Sequence, residues 1–163
     1  MNTSYANINL KTGTHIAGIC KIQIAPREWL AENPTIDFLS GKILTPVVFL
    51  GSYNWLSLQL VADSYSYSEK PKSSKAGPFL EISISGLINY IDAALLQILE
   101  TLRNNELIAL VTDFNGQLRL VGNANIGLIA DIGHVQENKQ DGSCEISIEM
   151  KMQNSYASPF YTI

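Results

Sequence analysis

Three potential metal ligands recur at intervals of three residues near the end of the sequence: Asp131, His134 and Glu137. On a helix this spacing would place all three on one face, where they could bind zinc. Here they straddle the end of a strand-like segment and a polar loop, so we predict a solvated turn. The other histidine, His15, lies in a Thr/Gly-rich stretch. We therefore expect neither a metal nor a cofactor.

The sequence Asp113-Phe114-Asn115-Gly116 begins like a calcium-binding loop, but the remainder does not match. With Asp113 first, the sixth residue is Leu118 rather than glycine, and the twelfth is Ala124 rather than glutamate. The same residues separate two apolar runs, and Asp, Asn and Gly favour a chain reversal. We predict that Asp113, Asn115 and Gly116 form a structural hairpin turn.

Glu145 and Glu149 flank Ser147 on the polar face of an alternating segment. General acid–base catalysis would need these carboxylates in a cleft that perturbs their pKa values, and a solvated face is the simpler interpretation. The sequence also contains no glycine-rich phosphate loop and no nucleophile elbow. We predict that the chain is not an enzyme.

A serine-rich stretch, Asp63–Pro78, combines aromatic and basic side chains. These are Tyr65, Tyr67, Lys70, Lys72 and Lys75. Single-strand nucleic-acid binders combine the same residue types, but a net charge of -4 opposes phosphate binding. We predict an irregular loop that contacts other subunits, since tyrosine is favoured at interfaces; a mobile loop without contacts is the alternative. Such a loop should contribute little to the fold.

Alternation of apolar and polar residues dominates the rest of the chain and predicts antiparallel strands with one buried face. The alternating segments are Ile16–Ile24, Leu56–Ala62, Phe79–Ser85 and Cys144–Met152. Further strands are predicted at Lys42–Leu50, Leu107–Thr112, Gln117–Val121 and Asn125–Ile132. Pro46 should make the first of these an edge or bulged strand.

One amphipathic helix is predicted at about residues 89–103. Ile91, Leu95, Ile98 and Leu102 form its apolar stripe, with Asn89 as the N-cap, and Asn104-Asn105 should end it. The chain should then form one mainly β domain over residues 1–163, with extended termini. We expect an antiparallel β-sandwich or small barrel of seven or eight strands, with the helix after the fifth.

Charge and cysteine content bear on association and on the compartment. Residues 1–75 hold seven basic and five acidic side chains, and residues 76–163 hold four and ten, a distribution that would suit head-to-tail contacts.

No apolar run reaches the ~20 residues of a membrane span, and the first ten residues do not resemble a signal peptide. We expect a cytoplasmically made protein without a membrane partner. Cys20 and Cys144 should be buried free thiols, with a disulfide between them as the alternative.

The C-terminal half resembles small virion proteins of phages and prophages from Bacteroides-type bacteria. The resemblance runs from the helix through Leu107–Gly122 to Ser158-Pro159-Phe160-Tyr161. It implies a tail-tube-like fold and a structural role in the tail or neck, with other virion proteins as partners.

The leading hypothesis is therefore a non-catalytic virion subunit that self-assembles into a ring or tube. Its acidic lumen would let DNA pass without sequence-specific binding. A ligand-binding or adaptor β-domain without a virion role is the alternative.

Overall fold

The computed structural model describes residues 18–61, 63–88, 93–136 and 144–161. Within these ranges the chain forms one helix, α1 (Ala93–Arg103), and eleven strands. The strands are β1 (Ile19–Pro26), β2 (Ile36–Asp37), β3 (Lys42–Ile43), β4 (Leu56–Leu58), β5 (Ser66–Ser74), β6 (Gly77–Ile88), β7 (Leu107–Asp113), β8 (Leu118–Val121), β9 (Ile129–Gln136), β10 (Cys144–Asn154) and β11 (Phe160–Tyr161).

The strands form two sheets. One has seven strands in the order β2-β3-β11-β8-β7-β1-β4, and the other has four in the order β5-β6-β10-β9. All neighbours are antiparallel except β3 and β11. The prediction of a mainly β sandwich with one helix is confirmed, and neither sheet closes into a barrel.

The main core lies between the sheets because each long strand alternates in sequence. Ile22 and Ile24 of β1 are fully buried, as are Ile82 and Ile84 of β6. On β10 the buried apolar side chains are Ile146, Ile148, Met150 and Met152. Period-two patterning thus predicts the buried face of these strands correctly.

Cys20 departs from that pattern, and the prediction that it is buried is wrong. Ile19 pairs with Asp113 and Lys21 with Thr112, so Cys20 is an extra residue in a β-bulge. The bulge rotates Cys20 out of phase with Ile22 and leaves it exposed with a free thiol. Its Sγ donates to the carbonyl oxygens of Thr112, at 3.5 Å, and Asp113, at 3.3 Å. The side chain of Cys144 lies outside the described residues.

The helix is confirmed at Ala93–Arg103, but its buried stripe differs from the prediction. Leu99 and Leu102 are buried and Leu95 packs against the core, whereas Ile98 is 40% exposed. The proposed cap Asn89 and the stripe residue Ile91 lie outside the described residues. As predicted, Asn104 and Asn105 end the helix. Their side-chain amides donate to the carbonyls of Glu100, at 3.0 Å, and Thr101, at 2.7 Å.

The irregular loop predicted at Asp63–Pro78 is wrong. Most of it is β5, which pairs with β6 from Ser66–Ser85 to Ser74–Gly77. The physical reason is a second alternation, in which tyrosine occupies one face and serine or lysine the other, and tyrosine favours strands. The Oγ atoms of Ser68 and Ser83 lie 2.8 Å apart across the ladder. The segment is therefore part of the fold.

Smaller corrections concern strand limits and order. The Lys42–Leu50 strand is only Lys42–Ile43, and it lies between β2 and β11 rather than at an edge. It ends before Pro46, which cannot donate to a ladder. The strand after the β7–β8 hairpin begins at Ile129 rather than Asn125. The helix follows the sixth strand rather than the fifth, and both β2 and β5 are missing from the predicted strands.

Candidate functional site

The β5–β6 hairpin separates the five predicted contact residues into two groups. Tyr65 and Tyr67 point inward and pack partly buried against the core. Lys70 and Lys72 lie at alternate positions on the opposite, outer face of β5, and Lys75 lies in the turn. The lysines are exposed, so they remain available for contact. The tyrosines are mainly structural.

A small polar cluster forms where Tyr67 meets the C-terminal segment. The Tyr67 hydroxyl donates to Glu69 Oε1, and the same oxygen accepts the Ser158 backbone amide at 3.0 Å. Burial, followed by the hydrogen bond to Glu69, holds the pKa of Tyr67 well above its usual value. The phenol therefore stays neutral and acts as a hydrogen-bond donor. The cluster joins the edge strand to the C-terminal segment.

A cleft of about 350 Å³ opens beside this cluster, between the sheets. Tyr67 lines it from β5 and Tyr65 from the position just before that strand, and Val111 and Arg119 line it from the β7–β8 hairpin. The guanidinium carbon of Arg119 lies 4.2 Å from the centroid of the Phe160 ring, which holds the cation in place. Arg119 forms no ion pair with any described residue.

The end of the β5–β6 hairpin carries the three lysines; we call Lys70, Lys72, Lys75 and the turn Ser74–Gly77 the lysine tip. Lys72 pairs with Glu81 at 2.9 Å, and this hydrogen bond holds the pKa of Glu81 below its usual value. Among the described residues, Lys70 and Lys75 form no ion pair. The turn itself is slim, since its other side chains are serine, alanine and glycine.

A larger depression of about 570 Å³, which we call the acidic groove, lies on the outer face of the four-stranded sheet. Its carboxylates are Glu81, Glu106, Asp131 and Glu149, and its apolar side chains are Ile126, Ile129 and Met152. Lys151 is its one basic lining residue and pairs with Glu149 at 2.9 Å. Arg27 reaches Glu106 from outside the lining, also at 2.9 Å. Asp131 is exposed and has no such partner among the described residues.

The predicted hairpin turn is confirmed. Asp113 Oδ1 accepts the backbone amides of Asn115 and Gln117, both at 2.8 Å, and the Gly116 amide donates to the Asp113 carbonyl at 3.0 Å. Gly116 has φ +75°, whereas Asn115 does not adopt the positive φ that its residue type allows. The three residues have a structural role in the β7–β8 turn.

Exposed apolar side chains concentrate in one stretch, residues 38–53, which we call the apolar segment. They are Phe38, Leu39, Leu44, Val48, Leu50 and Tyr53. Leu39 is fully exposed and Phe38 is 69% exposed. Leu44, Val48 and Leu50 were predicted to lie in a strand, in which alternate side chains are buried, whereas Phe38, Leu39 and Tyr53 received no prediction.

The predicted absence of a metal site stays a prediction. His15 and Glu137 lie outside the described residues, and so does the side chain of His134. Across the part of the chain that the structure describes, no three potential metal ligands come together. No described helix is long and apolar enough to cross a membrane.

Comparison of the chain with protein-family models, curated proteins and solved structures gave no match. The resemblance to phage virion proteins therefore stays a prediction.

Proposed function

We propose that the chain is a non-catalytic structural subunit that self-assembles into a ring or tube in the tail or neck of a bacteriophage. The observation that supports self-assembly best is the apolar segment. A surface leucine or phenylalanine is ordinary by itself, but a contiguous group of them is typical of protein-binding surfaces, and these six lie within 16 residues of one another in the sequence.

The most exposed part of the apolar segment is held in a defined turn. Asp37 Oδ1 accepts the Leu39 amide at 3.0 Å, and Asp37 Oδ2 accepts the Ser40 hydroxyl at 2.6 Å. The hydrogen bond from Ser40 holds the pKa of Asp37 below its usual value, so the turn keeps its ionised acceptor further into the acid range than an ordinary aspartate would. Leu39 is thus presented in a fixed position, and a preorganised contact loses less entropy on binding.

The resemblance of the C-terminal half supports the more specific part of the proposal, which places the subunit in a virion after synthesis in the host cytoplasm. The net charge of -4 agrees with a lumen that DNA traverses without binding. Identification of the chain by mass spectrometry in purified particles of the encoding phage tests this placement. Particles that lack the chain would overturn it.

Sedimentation velocity over a range of concentrations tests self-assembly. We expect a discrete oligomer or polymer for the wild type and weaker association for Leu39→Asp/Leu44→Asp. Leu96→Ser, which alters an exposed leucine on α1, is the control and should associate like the wild type. A wild type that stays monomeric at every concentration contradicts the proposed function.

The inter-sheet cleft supports a second candidate, a ligand-binding domain. Its aromatic walls, and Arg119, which forms no ion pair with any described residue, would suit a small anion with an apolar part. Thermal melts in millimolar citrate and benzoate test this candidate. A rise in melting temperature that is lost in Arg119→Gln supports it, and unchanged melts exclude these anions.

A further inference from the structure

We propose that the acidic groove receives the lysine tip of a second copy of the chain. The inference rests on the proposed self-assembly and assigns to it a specific pair of complementary surfaces.

The groove has the character of a contact surface rather than an ordinary solvated face. Ile129, at the start of the edge strand β9, is 67% exposed within a rim of carboxylates. A volume of about 570 Å³ falls within the ~300–1,000 Å³ of typical binding clefts. The groove therefore has room for the side chains of a hairpin turn.

Among the described residues, Asp131 is the one groove carboxylate that forms no ion pair, although Lys151 interacts with it electrostatically. Asp131 and Glu149 lie directly opposite each other in the β9–β10 ladder, and like charges in that position destabilise a sheet. Lys151 pairs with Glu149 rather than with Asp131. A cation from outside the sheet would relieve this repulsion.

The lysine tip supplies such cations. Lys75 is exposed and forms no ion pair among the described residues, and neither does Lys70, which lies opposite Glu81 in the ladder and interacts with it electrostatically. The small side chains of the turn let it enter a narrow depression. Exposed isoleucine in the groove would pack against the alkyl part of a lysine side chain. Charge and shape are thus complementary.

The lysine tip of the same chain cannot fill the groove around Asp131. β5 and β9 are the opposite edges of the four-stranded sheet, separated by β6 and β10. With about 4.8 Å between neighbouring strands, the two edges lie roughly 14 Å apart. The occupant must therefore be another copy, and Lys72, already bound to Glu81, marks the near side of the groove.

Charge reversal tests the pairing, with sedimentation velocity at low salt as the measurement. We expect Lys75→Glu and Asp131→Lys to weaken association by about tenfold or more each, because close interfacial charge pairs are strongly coupled. The double variant Lys75→Glu/Asp131→Lys should recover most of the wild-type association, since it restores opposite charges in exchanged positions. Association should also weaken as salt rises.

Lys21→Glu is the matched control, because Lys21 is an exposed lysine on β1 away from both surfaces. It changes the net charge as Lys75→Glu does and should leave association unchanged. If the wild type associates but Lys75→Glu and Lys21→Glu behave alike, or if the double variant is not rescued, the pairing is wrong while self-assembly stands. A wild type that never associates overturns both proposals.

Discussion

Tyr67 and Glu69 lie two residues apart on β5, and the phenol of the first donates a hydrogen bond to the carboxylate of the second. Both side chains point to the inner face of the sheet, where Ser158 donates its backbone amide to the same carboxylate oxygen. The C-terminal segment is thereby attached to an edge strand about 90 residues earlier in the chain. The pair therefore belongs to the fold rather than to a contact surface.

Tyr67→Phe should lower the free energy of unfolding by about 1–3 kcal/mol, because it removes one donor from a partly buried carboxylate. Tyr65→Phe is the matched control, since the Tyr65 hydroxyl forms no hydrogen bond with a described residue; it should change stability by less than about 0.5 kcal/mol. Urea denaturation measures both. Equal losses in the two variants would show that the Tyr67 bond contributes nothing specific.

The raised pKa of Tyr67 predicts a loss of stability in alkali. The unfolded chain ionises this phenol near the ordinary value of 10.0, while the folded chain still holds the proton. The contribution is complete below about pH 10 and decreases above it, by up to ~1.4 kcal/mol per pH unit. Urea denaturation between pH 8 and 11 should show a steeper decrease for the wild type than for Tyr67→Phe. Parallel curves would refute the prediction.

Gly116→Val should destabilise the protein by about 1–3 kcal/mol, because a β-branched residue is strained at the φ of +75° found in this turn. No other atom lies where the new Cβ would be, so strain rather than collision is the cause. Gly116→Asn is the control, since asparagine tolerates this region, and it should cost less. Thermal melts of the two variants measure the difference. Similar losses of stability in both would show that backbone strain at this φ is not the cause.

The bulge at Cys20 predicts a thiol that reagents reach in the folded protein. Maleimide should modify the native protein at this residue within minutes, and Cys20→Ser should abolish that modification, as peptide mass spectrometry can show. Cys144→Ser serves as the comparison and should retain it. Modification of Cys20 only after denaturation would contradict the exposed position.

Part of the fold could be predicted from the sequence because period-two alternation reports directly on burial in regular strands. The β7–β8 hairpin followed from Asp113 and Gly116, whose turn chemistry is local. Cys20 was misplaced because one inserted residue reverses the phase of an alternating strand, and alternation alone does not reveal a bulge. Tyr65 and Tyr67 were assigned to a loop because the many serines and lysines around them are typical of loops. The alternation of tyrosine with serine, which indicates a strand, was not recognised.

The candidate surfaces were harder to predict for a different reason. The acidic groove combines Glu81, Glu106 and Asp131, which come from distant parts of the sequence. Glu81 and Asp131 are brought to one face by the pairing of β6, β10 and β9, and the Leu107–Leu128 bridge places Glu106 beside them. No spacing rule connects such residues. The lysines of the tip could be found from the sequence because they cluster locally. The carboxylates proposed as their partners could be found only from the strand order of the sheet.

The composition of β5 also affects the tendency of the protein to aggregate at high concentration. An edge strand of nine residues presents unpaired backbone groups to which a strand of any other chain could add. The middle of β5 is formed by Lys70, Pro71 and Lys72. Proline has no amide hydrogen to donate to an added strand, and burying a lysine charge under such a strand is unfavourable. These residues therefore oppose the addition of a further strand at this edge, which is the first step of amyloid-like growth.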